Sequence, residues 1–435
     1  MKTATVTNWD RTQSWTPEAL HEPNSEAEVA EVVRRAAGDK RRIKALGSAL
    51  SWSDAIDMPG QAIRFPRMAR VLDVDRRART VRVQAGAPLF VVNDELAHHG
   101  LSFDNFGSIV IQTAAGYIGT ASHGTGGKTP ILSSYVSGLR LVDGVGEIHE
   151  LDSEHEPELF SAARAGLGCL GVVTEVTFRC VESFRLEEEL ELVEFDRLLA
   201  DLDRLVEDND YLKLWWLPYS KKVQVYKFNR TERPGRSFGF TEIIDQSGLS
   251  SKAFAGLLAL SRRYPTIIPA MHELVQRIQF SPHKRYDRSD RIIRYAGTIP
   301  RHQETEYAID RKRAAEAIDR TRQLVEAASY RVNFPMEVRF VAADDVPMSP
   351  AYQRDSCYIG AYVSSLDWAP AYFAEFQDLM RDYQGRPHWG KTFHRTAGEL
   401  RALYPQYDQF ASLRRQLDPE GVFRNHFVDR VFPEA

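Results

Sequence analysis

The hydrophobic pattern of the N-terminal part of the chain predicts many short strands. Residues 80–84 (TVRVQ) alternate apolar and polar side chains one by one, which is typical of a half-buried strand. Similar runs predict strands over 41–46, 62–65, 71–74 and 172–179. A hairpin is predicted from 139–142 and 147–151, which flank the turn-forming pair Asp143-Gly144.

Helical spacing is less frequent in this part. Ser25, followed three residues later by Glu28, forms a capping-box pattern. The apolar residues that follow at helical spacing are Val29, Val32, Val33 and Ala36. Further helices are predicted over 88–99 and 157–164.

Beyond about residue 184 the predicted elements become longer. Residues 212–217 and 223–228 predict an antiparallel pair of strands. A helical stretch over 249–280, broken by Pro265 and Pro269, precedes an amphipathic helix over 311–329 and strands over 331–334, 336–341 and 356–363. A sheet with helices covering one face accounts for this order, so we expect the α+β class.

Composition and charge narrow the class of protein. The 435 residues are 43% hydrophobic and 27% charged, as in folded proteins of two or three domains, and the net charge of −4 gives no reason to expect nucleic acid as a partner. We find no apolar run of about 18 residues and no signal segment. The absence of a long apolar run leads us to expect no membrane span. The cysteines Cys169, Cys180 and Cys357 lack CxxC spacing, so we expect reduced thiols in a cytoplasmic protein.

Residues 112–127 (QTAAGYIGTASHGTGG) are unusually rich in glycine and small side chains. Glycine costs a helix about 1 kcal/mol relative to alanine, so we expect a loop whose backbone approaches another group closely. Similar small-residue turns occur over 45–53 and 165–173, and none has the GxGxxG or GxxxxGK[ST] order. Composition alone fits both a tight turn between strands and a cradle for a phosphate-containing cofactor.

Several motifs taken together resemble a known family. LGSALSWS (46–53), NFGSI (105–109), GYIGTASHGTG (116–126) and PELFSAARAGLGCLGVVTEVTF (157–178) resemble the FAD domain of the vanillyl-alcohol-oxidase (PCMH-type) flavoproteins, within them the sugar-lactone and alditol oxidase branch. GRPHWGK (385–391) and YPQYDQFASLRRQLDPEGVFRN (404–425) resemble the closing segment of that branch. The resemblance implies a PCMH-type FAD-binding domain over 1–182, a substrate (cap) domain over 183–380 with a helix-covered antiparallel sheet, and a C-terminal segment over 381–435 that returns to the FAD domain.

The resemblance also implies which residues contact FAD. The matching positions are Leu46, Gly47, Ser48, Ala49, Leu50, Ser51, Trp52, Gly107, Ser108, Thr113, Gly116, Thr120, Ala121, Ser122, His123, Val172, Val173 and His388. Leu50 stands where the family often has the histidine that bonds covalently to the flavin, so we expect non-covalent FAD. Glycine at the position of Gly107 is associated with oxidases and alanine with dehydrogenases, which favours dioxygen as the acceptor; a role only in the turn is the alternative.

Glu337 and Arg339 lie two residues apart on a predicted strand, so their side chains share a face. Such a pair is usually a weakly stabilising surface ion pair, but the apolar neighbours of these two residues predict a half-buried strand. MSPAYQRDSCY (348–358), which follows, resembles the gulonolactone-oxidase branch. The resemblance implies that Arg339 stabilises developing negative charge over the flavin, while Glu337 orients Arg339 and binds the substrate hydroxyl.

Lys391 faces the substrate by the same resemblance. Burial beside Arg339 would lower the pKa of Lys391 and suit it to accept the hydroxyl proton, although Glu337 and Arg339 stay open as alternatives. Gly360 and Tyr362 replace a polar His-x-Thr pair of the alditol oxidases, which favours a cyclic lactone or sugar over an open-chain alditol.

These implications predict an FAD-dependent oxidase of a secondary alcohol on an aldono-1,4-lactone, with hydrogen peroxide as a product. The alternatives are an alditol or other sugar oxidase, a lactone dehydrogenase with a cytochrome or quinone acceptor, and a non-catalytic flavin-binding protein. The presence of Glu337, Arg339 and Lys391 together argues against the last. No HExxH motif or spaced Cys/His cluster is present, so we expect no metal.

Overall fold

The computed structural model describes residues 5–58, 60–237, 249–295, 299–364 and 367–434. In its N-terminal part, a three-stranded parallel sheet has the order Leu20–His21, Gln61–Arg64, Ile43–Leu46. Helix Glu26–Gly38 begins at Ser25, whose hydroxyl accepts from the N–H of Glu28, as predicted. The Glu28 carboxylate accepts from the N–H of Asn24 at 2.8 Å, one residue before the cap, so the predicted capping box is incomplete.

A five-stranded antiparallel sheet forms the centre of the N-terminal part. Its order is Ile148–Leu151, Val136–Val142, Val172–Arg179, Thr80–Gln84 and Val71–Asp75, and its first two strands are the predicted hairpin. Helices Leu89–His98, Ala114–Gly119 and Pro157–Ala163 bury apolar side chains in the same core as this sheet. The N-terminal part also contains two short antiparallel pairs of strands, Val6–Thr7 with Ser14–Trp15 and Leu101–Ser102 with Val181–Glu182.

The second part of the chain forms an eight-stranded antiparallel sheet. Its order is His283–Arg288, Arg185–Glu194, Lys222–Arg230, Tyr211–Trp216, Met336–Val341, Ser356–Val363, Gln303–Asp310 and Arg386–Pro387. Helices Phe195–Asp208, Ala314–Ala327 and Ala369–Arg381 cover one face and share its apolar core. Helices Leu249–Arg263, Ile268–Gln279 and Ser289–Ile293 pack at the outer end of the opposite face, so helices lie on both faces rather than on one.

The C-terminal segment crosses back to the N-terminal part. After the edge strand Arg386–Pro387 come helices Ala397–Leu403, Tyr407–Leu417 and His426–Val431. The last of these contacts the short 3₁₀ helix Asp54–Ile56, and Asn425 donates to the carbonyl of Asp57 at 3.0 Å. Within the described ranges, every helix is too short or too polar to span a bilayer.

Three predictions about local structure are wrong. The glycine-rich run contains the helix Ala114–Gly119, because Thr113 caps it and Ala114, Tyr117 and Ile118 are buried, so tertiary packing outweighs the cost of glycine. Residues 331–334 form no strand. Pro265 marks the helix break, but Pro269 lies in the first turn of the next helix, where its missing N–H has no partner to lose.

Candidate active site

A cavity of about 960 Å³ lies between the small-residue loops of the N-terminal part and the face of the eight-stranded sheet that lies opposite helices Phe195–Asp208, Ala314–Ala327 and Ala369–Arg381. The loops 45–52, 107–123 and 166–173 contribute one wall. The sheet contributes the other, and the C-terminal residues His388, Gly390 and Lys391 close one side. The loops and the sheet therefore face one another across a space of the size that cofactor and substrate sites usually have.

The loop wall depends on close backbone approach at Gly47 and Gly116. A Cβ atom at Gly47 would lie 2.7 Å from the hydroxyl oxygen of Thr113, and one at Gly116 would lie 2.8 Å from the same oxygen. That oxygen accepts from the N–H of Gly116 at 3.2 Å and begins the helix. Ala49 follows with a left-handed φ of +53°, a conformation that is rare outside glycine. The predicted turn therefore has the geometry of a close cradle.

Of the residues predicted to contact FAD, all but two line this cavity. Ala121 and Val172 are instead buried in the protein core. Val172 and Val173 are consecutive on a strand, so their side chains point to opposite faces, and Val173 takes the cavity side. The segments predicted from the resemblance line the cavity, and strand alternation decides which of the two valines faces it.

Gly107 is buried and lies at the centre of the loop wall. Its N–H donates to the hydroxyl of Tyr117 at 2.6 Å. A Cβ atom here would lie 3.1 Å from the carbonyl oxygen of His123 and 3.2 Å from the Tyr117 hydroxyl. Alanine would therefore fit only if these neighbours moved by a few tenths of an ångström.

The sheet wall is built from cross-strand neighbours. Lys213 is the register partner of Arg339. Glu337 is paired with Gly360, which is paired in turn with Glu306. Alternate residues of these strands point to the cavity while the residues between them pack against the helices. Three strands from distant parts of the chain, Tyr211–Trp216, Met336–Val341 and Gln303–Asp310, thus place charged side chains on one surface.

Glu337 and Arg339 form a buried ion pair, as their spacing predicted. A terminal nitrogen of Arg339 donates to the Glu337 carboxylate at 2.9 Å, and the indole N–H of Trp215 donates at 2.7 Å. Burial alone would raise the pKa of Glu337, but the cations of Arg339 and Lys213 lower it, so the carboxylate is ionised. Within the described part of the chain, Nε of Arg339 is buried and makes no hydrogen bond, so one donor remains unused.

Tyr362 completes the shell of Glu337. Its hydroxyl donates to the second carboxylate oxygen at 3.1 Å. A Cβ at Gly360 would lie 2.6 Å from the Tyr362 ring, so glycine is what allows the ring to lie over the strand. Three donors therefore hold the carboxylate, and its main role in this geometry is to fix Arg339.

Lys391 contacts a carboxylate that the sequence analysis did not identify. Its ammonium group donates to Glu304 and lies 4.2 Å from the centre of the Trp52 ring. Burial would raise the pKa of Glu304, but Lys391 and His302 lower it to about 2. A buried carboxylate therefore holds the Lys391 side chain, and the role of Lys391 as the base stays a prediction.

A histidine and carboxylate cluster lies beside this ion pair. Nε2 of His123 lies 3.3 Å from the Glu306 carboxylate, and both side chains are buried. Burial lowers the pKa of His388 to about 3, so its ring is neutral; its Nδ1 accepts from the N–H of Gly390 at 3.0 Å, which leaves the proton on Nε2.

Two groups of side chains in the described residues bring metal-ligand atoms within 4.8 Å of one another: His123 with Glu306 and His388, and Asp143 with Glu147 and His149. In both groups a histidine is within ion-pair distance of a carboxylate. The expectation of no metal stays a prediction.

The sequence analysis missed Lys213, His302, Glu304 and Glu306. The strand that carries the two glutamates, Gln303–Asp310 (QETEYAID), has too many polar residues for a hydrophobic run. Alternation was the available signal, since Thr305, Tyr307 and Ile309 are strand formers at every second position.

Comparisons with known proteins agree with this arrangement. The model of the D-arabinono-1,4-lactone oxidase family matches residues 176–431, more than half of the chain, and an FAD binding domain matches residues 17–152. The chain belongs to the D-arabinono-1,4-lactone oxidase family. It is therefore an FAD-dependent oxidoreductase that acts on CH–OH donors, and the resemblance inferred from its motifs is confirmed.

Curated relatives of this family member match over nearly their whole length. It is 36% identical over 425 residues to the L-gulono-1,4-lactone dehydrogenase of Mycobacterium tuberculosis, covering 98% of each chain. It is 33% identical over 435 residues to the L-gulonolactone oxidase of Bos taurus, covering 98% of this chain and 97% of that protein. The relatives thus include both a dehydrogenase and an oxidase.

Solved structures confirm the expected fold. The crystal structure of cholesterol oxidase from B. sterolicum superposes with a TM-score of 0.82 at 17% identity, covering 99% of this chain and 96% of that one. A solvent-stable cholesterol oxidase superposes equally well at 15% identity. The PCMH-type FAD-binding fold is therefore shared, while these identities are too low to carry function.

The cavity fits the cofactor that the FAD binding domain implies. The loop wall is free of Lys, Arg, Asp and Glu over 45–53 and 107–123, and its glycines expose backbone where a Cβ would clash. Oε1 of Gln112, on the cavity wall, is buried and has no hydrogen-bond partner within the described ranges, so an acceptor is available there. The Nε2–H of His388, in the C-terminal segment, adds a hydrogen-bond donor to the cavity.

Proposed function

We propose that this member of the D-arabinono-1,4-lactone oxidase family oxidises a secondary alcohol of an aldono-1,4-lactone similar to L-gulono-1,4-lactone. Bound FAD supplies the hydride acceptor, and dioxygen reoxidises it to give hydrogen peroxide. The observation that carries the proposal is the buried Glu337–Arg339 pair, which faces the FAD loops across one cavity. The names of the two relatives support a lactone as the substrate class.

In this proposal each wall has its own role. The loop residues 46–52, 107–123 and Val173, together with His388, hold FAD, and the sheet wall binds the substrate. The unused Nε–H of Arg339 binds the hydroxyl oxygen that becomes the carbonyl oxygen, and a fixed cation there stabilises charge that develops on it. Glu337 positions Arg339, and Lys391 contributes a second fixed positive charge. We retain the division at 1–182, 183–380 and 381–435 as part of the same proposal.

A cyclic substrate is favoured over an open-chain alditol by the aromatic lining. Trp52, Trp215, Phe334 and Tyr362 all line the cavity. Flat apolar faces suit the C–H face of a ring. A panel of aldono-1,4-lactones, alditols and free sugars tests this. Turnover of alditols with no turnover of lactones would contradict it.

Non-covalent FAD is the second element of the proposal. Leu50 lines the cavity and cannot bond to the flavin. The test is the visible spectrum of the purified protein, repeated on the supernatant after acid precipitation. Flavin in the supernatant is the expected result, whereas flavin in the pellet would mean a bond to another residue. A colourless protein that FAD does not reconstitute would overturn the proposed function.

Dioxygen as the acceptor rests on Gly107. Gly107→Ala should slow reoxidation of the reduced enzyme by dioxygen about tenfold or more while leaving its anaerobic reduction by the lactone nearly unchanged. Stopped-flow measurement of the two half-reactions separates these effects. A matched control is Gly398→Ala, where an added Cβ meets nothing within 4 Å.

Either of two results would remove Gly107 from this role. Equal slowing of both half-reactions would point to distortion around Tyr117, and unchanged reoxidation would mean that Gly107 does not control access of dioxygen. Slow reoxidation of the unmodified enzyme, with fast reduction of a cytochrome or quinone, would favour the dehydrogenase alternative.

A further inference from the structure

Lys213 is a cavity residue with no assigned role. It lies in the middle of strand Tyr211–Trp216, and the sheet register places it directly beside Arg339. Its ammonium nitrogen lies 4.7 Å from the ring centre of Trp215 and 4.4 Å from that of Tyr226. The side chain therefore reaches the same part of the cavity as the buried ion pair, and it does so between aromatic faces.

The carboxylates closest to this lysine are already committed to other donors. Glu337 accepts from Arg339, Trp215 and Tyr362. Glu188, on the strand two places further along the sheet, accepts from Arg285 at 2.7 and 2.8 Å. Throughout the described part of the chain, no hydrogen bond or ion pair reaches Nζ of Lys213. Its amine is thus free to contact a ligand.

Charge and burial act on this amine from four strands. Burial lowers the pKa of Lys213 to about 8; Glu337 and Glu188 oppose the shift, while the cations of Arg339 and Arg285 reinforce it. The hydroxyl of Tyr226, whose pKa burial raises well above its usual value, remains protonated beside it. A neutral amine is therefore available near pH 8, which is the range that suits a general base.

We propose that Nζ of Lys213 accepts the proton of the substrate hydroxyl group during oxidation. The O–H bond breaks, an N–H bond forms on Lys213, and the O–H electron pair becomes the second bond of the new carbonyl. The hydrogen on carbon leaves with its own electron pair to the flavin, which is the oxidant. Arg339, beside Lys213, holds the same oxygen.

This proposal rests on the proposed function and changes the expected role of Lys391. Both lysines line the cavity, but Lys391 donates to the ionised Glu304 while Lys213 has no such partner in the described residues. A base must give up a proton before it can accept one, so the unpaired amine is better suited. Lys391 then acts as a fixed cation.

The test compares Lys213→Met and Lys213→Arg with the unmodified holoenzyme. Methionine keeps the aromatic packing without an amine, and arginine keeps the charge but cannot act as a base. Anaerobic reduction of the flavin by the lactone should rise with pH around 8 in the unmodified enzyme. Both variants should lose that rise and be slower by roughly 10²–10⁴-fold. Lys312→Met, an exposed lysine, is the matched control.

A second readout does not depend on turnover. Labelling the holoenzyme with acetic anhydride over a range of pH, followed by mass spectrometry, reports when each amine becomes neutral. Lys213 should become reactive about two pH units below the usual lysine pKa of about 10.4. If Lys213 and Lys312 become reactive over the same pH range, the proposal is overturned, whatever the substrate is.

The outcomes separate the two proposals. If the unmodified enzyme oxidises no lactone but oxidises another alcohol, the proposed substrate is wrong and Lys213 is tested with that alcohol. If lactone turnover keeps its pH dependence in Lys213→Met, the role of Lys213 is overturned and the lactone remains. If Lys213→Met loses FAD and Lys213→Arg keeps it, the kinetics of Lys213→Arg decide the outcome. Full activity of that variant would also overturn the role of Lys213 as the base.

Discussion

The two walls of the cavity are built in opposite ways. The loop wall comes from short contiguous stretches and contains no Lys, Arg, Asp or Glu over 45–53 and 107–123. It is suited to recognise a cofactor through its backbone groups and its shape. The sheet wall comes from one or two residues on each of several strands and carries charges of both signs, among them half-buried Lys213 and Arg339 and buried Glu304. A cofactor can thus be held by local motifs, while substrate chemistry depends on the register of a sheet.

The largest expected effect is on the sheet wall, at Arg339. Arg339→Ala should lower kcat roughly 10²–10³-fold and leave FAD bound, since one preorganised donor of this kind contributes about that much. Steady-state kinetics together with the flavin spectrum check this. Because the substitution leaves Glu337 buried without its cation, the double variant Arg339→Ala with Glu337→Gln is the companion measurement. A kcat within about twofold of the unmodified enzyme would remove Arg339 from the chemistry.

The next largest effect is expected at Glu304, on the free energy of unfolding and its dependence on pH. Its folded pKa of about 2 lies below the usual value of about 4.3, so the stability from its charge is present above that value and is lost as pH falls toward 2. Glu304→Gln should lower the free energy of unfolding at pH 7 by about 3 kcal/mol and reduce the further loss between pH 7 and pH 3. Urea unfolding at the two pH values measures both.

The control for this measurement is Glu326→Gln, on the exposed side of helix Ala314–Ala327. It should change neither quantity by more than about 0.5 kcal/mol. An equal loss of stability on acidification in Glu304→Gln and in the unmodified protein would show that the Glu304–Lys391 pair is not the source of the pH dependence.

The smallest effect is expected on the loop wall, at Gly47. Gly47→Ala brings a Cβ to 2.7 Å from the Thr113 hydroxyl and should displace the cap of helix Ala114–Gly119, weakening FAD binding about fivefold, since a lost cap costs about 1 kcal/mol. Titration of the apoprotein with FAD, beside Gly398→Ala, checks this. Unchanged affinity would mean that the loop wall tolerates side chains and that the contrast between the walls is weaker than we infer.

The sequence was most informative where the chain is locally continuous. Strands Thr80–Gln84, Val172–Arg179, Met336–Val341 and Ser356–Val363 lie within the predicted bounds because alternation or an apolar run is a property of the segment itself. The small-residue segments that line the cavity are also continuous stretches, and their contact with FAD stays a prediction. The Glu337–Arg339 pair was also found because both residues belong to one strand.

Tertiary structure alone decided the rest. The helix within the glycine-rich run forms because its apolar side chains are buried. Ala121 packs in the core, and strand alternation points Val172 into the core as well, so neither lines the cavity. Lys213 and Arg339 lie more than a hundred positions apart, and a shift of one residue in strand pairing would move one of them to the helix-covered face. Composition and spacing do not encode that pairing, so the charged wall of the site becomes visible only when the sheet is assembled.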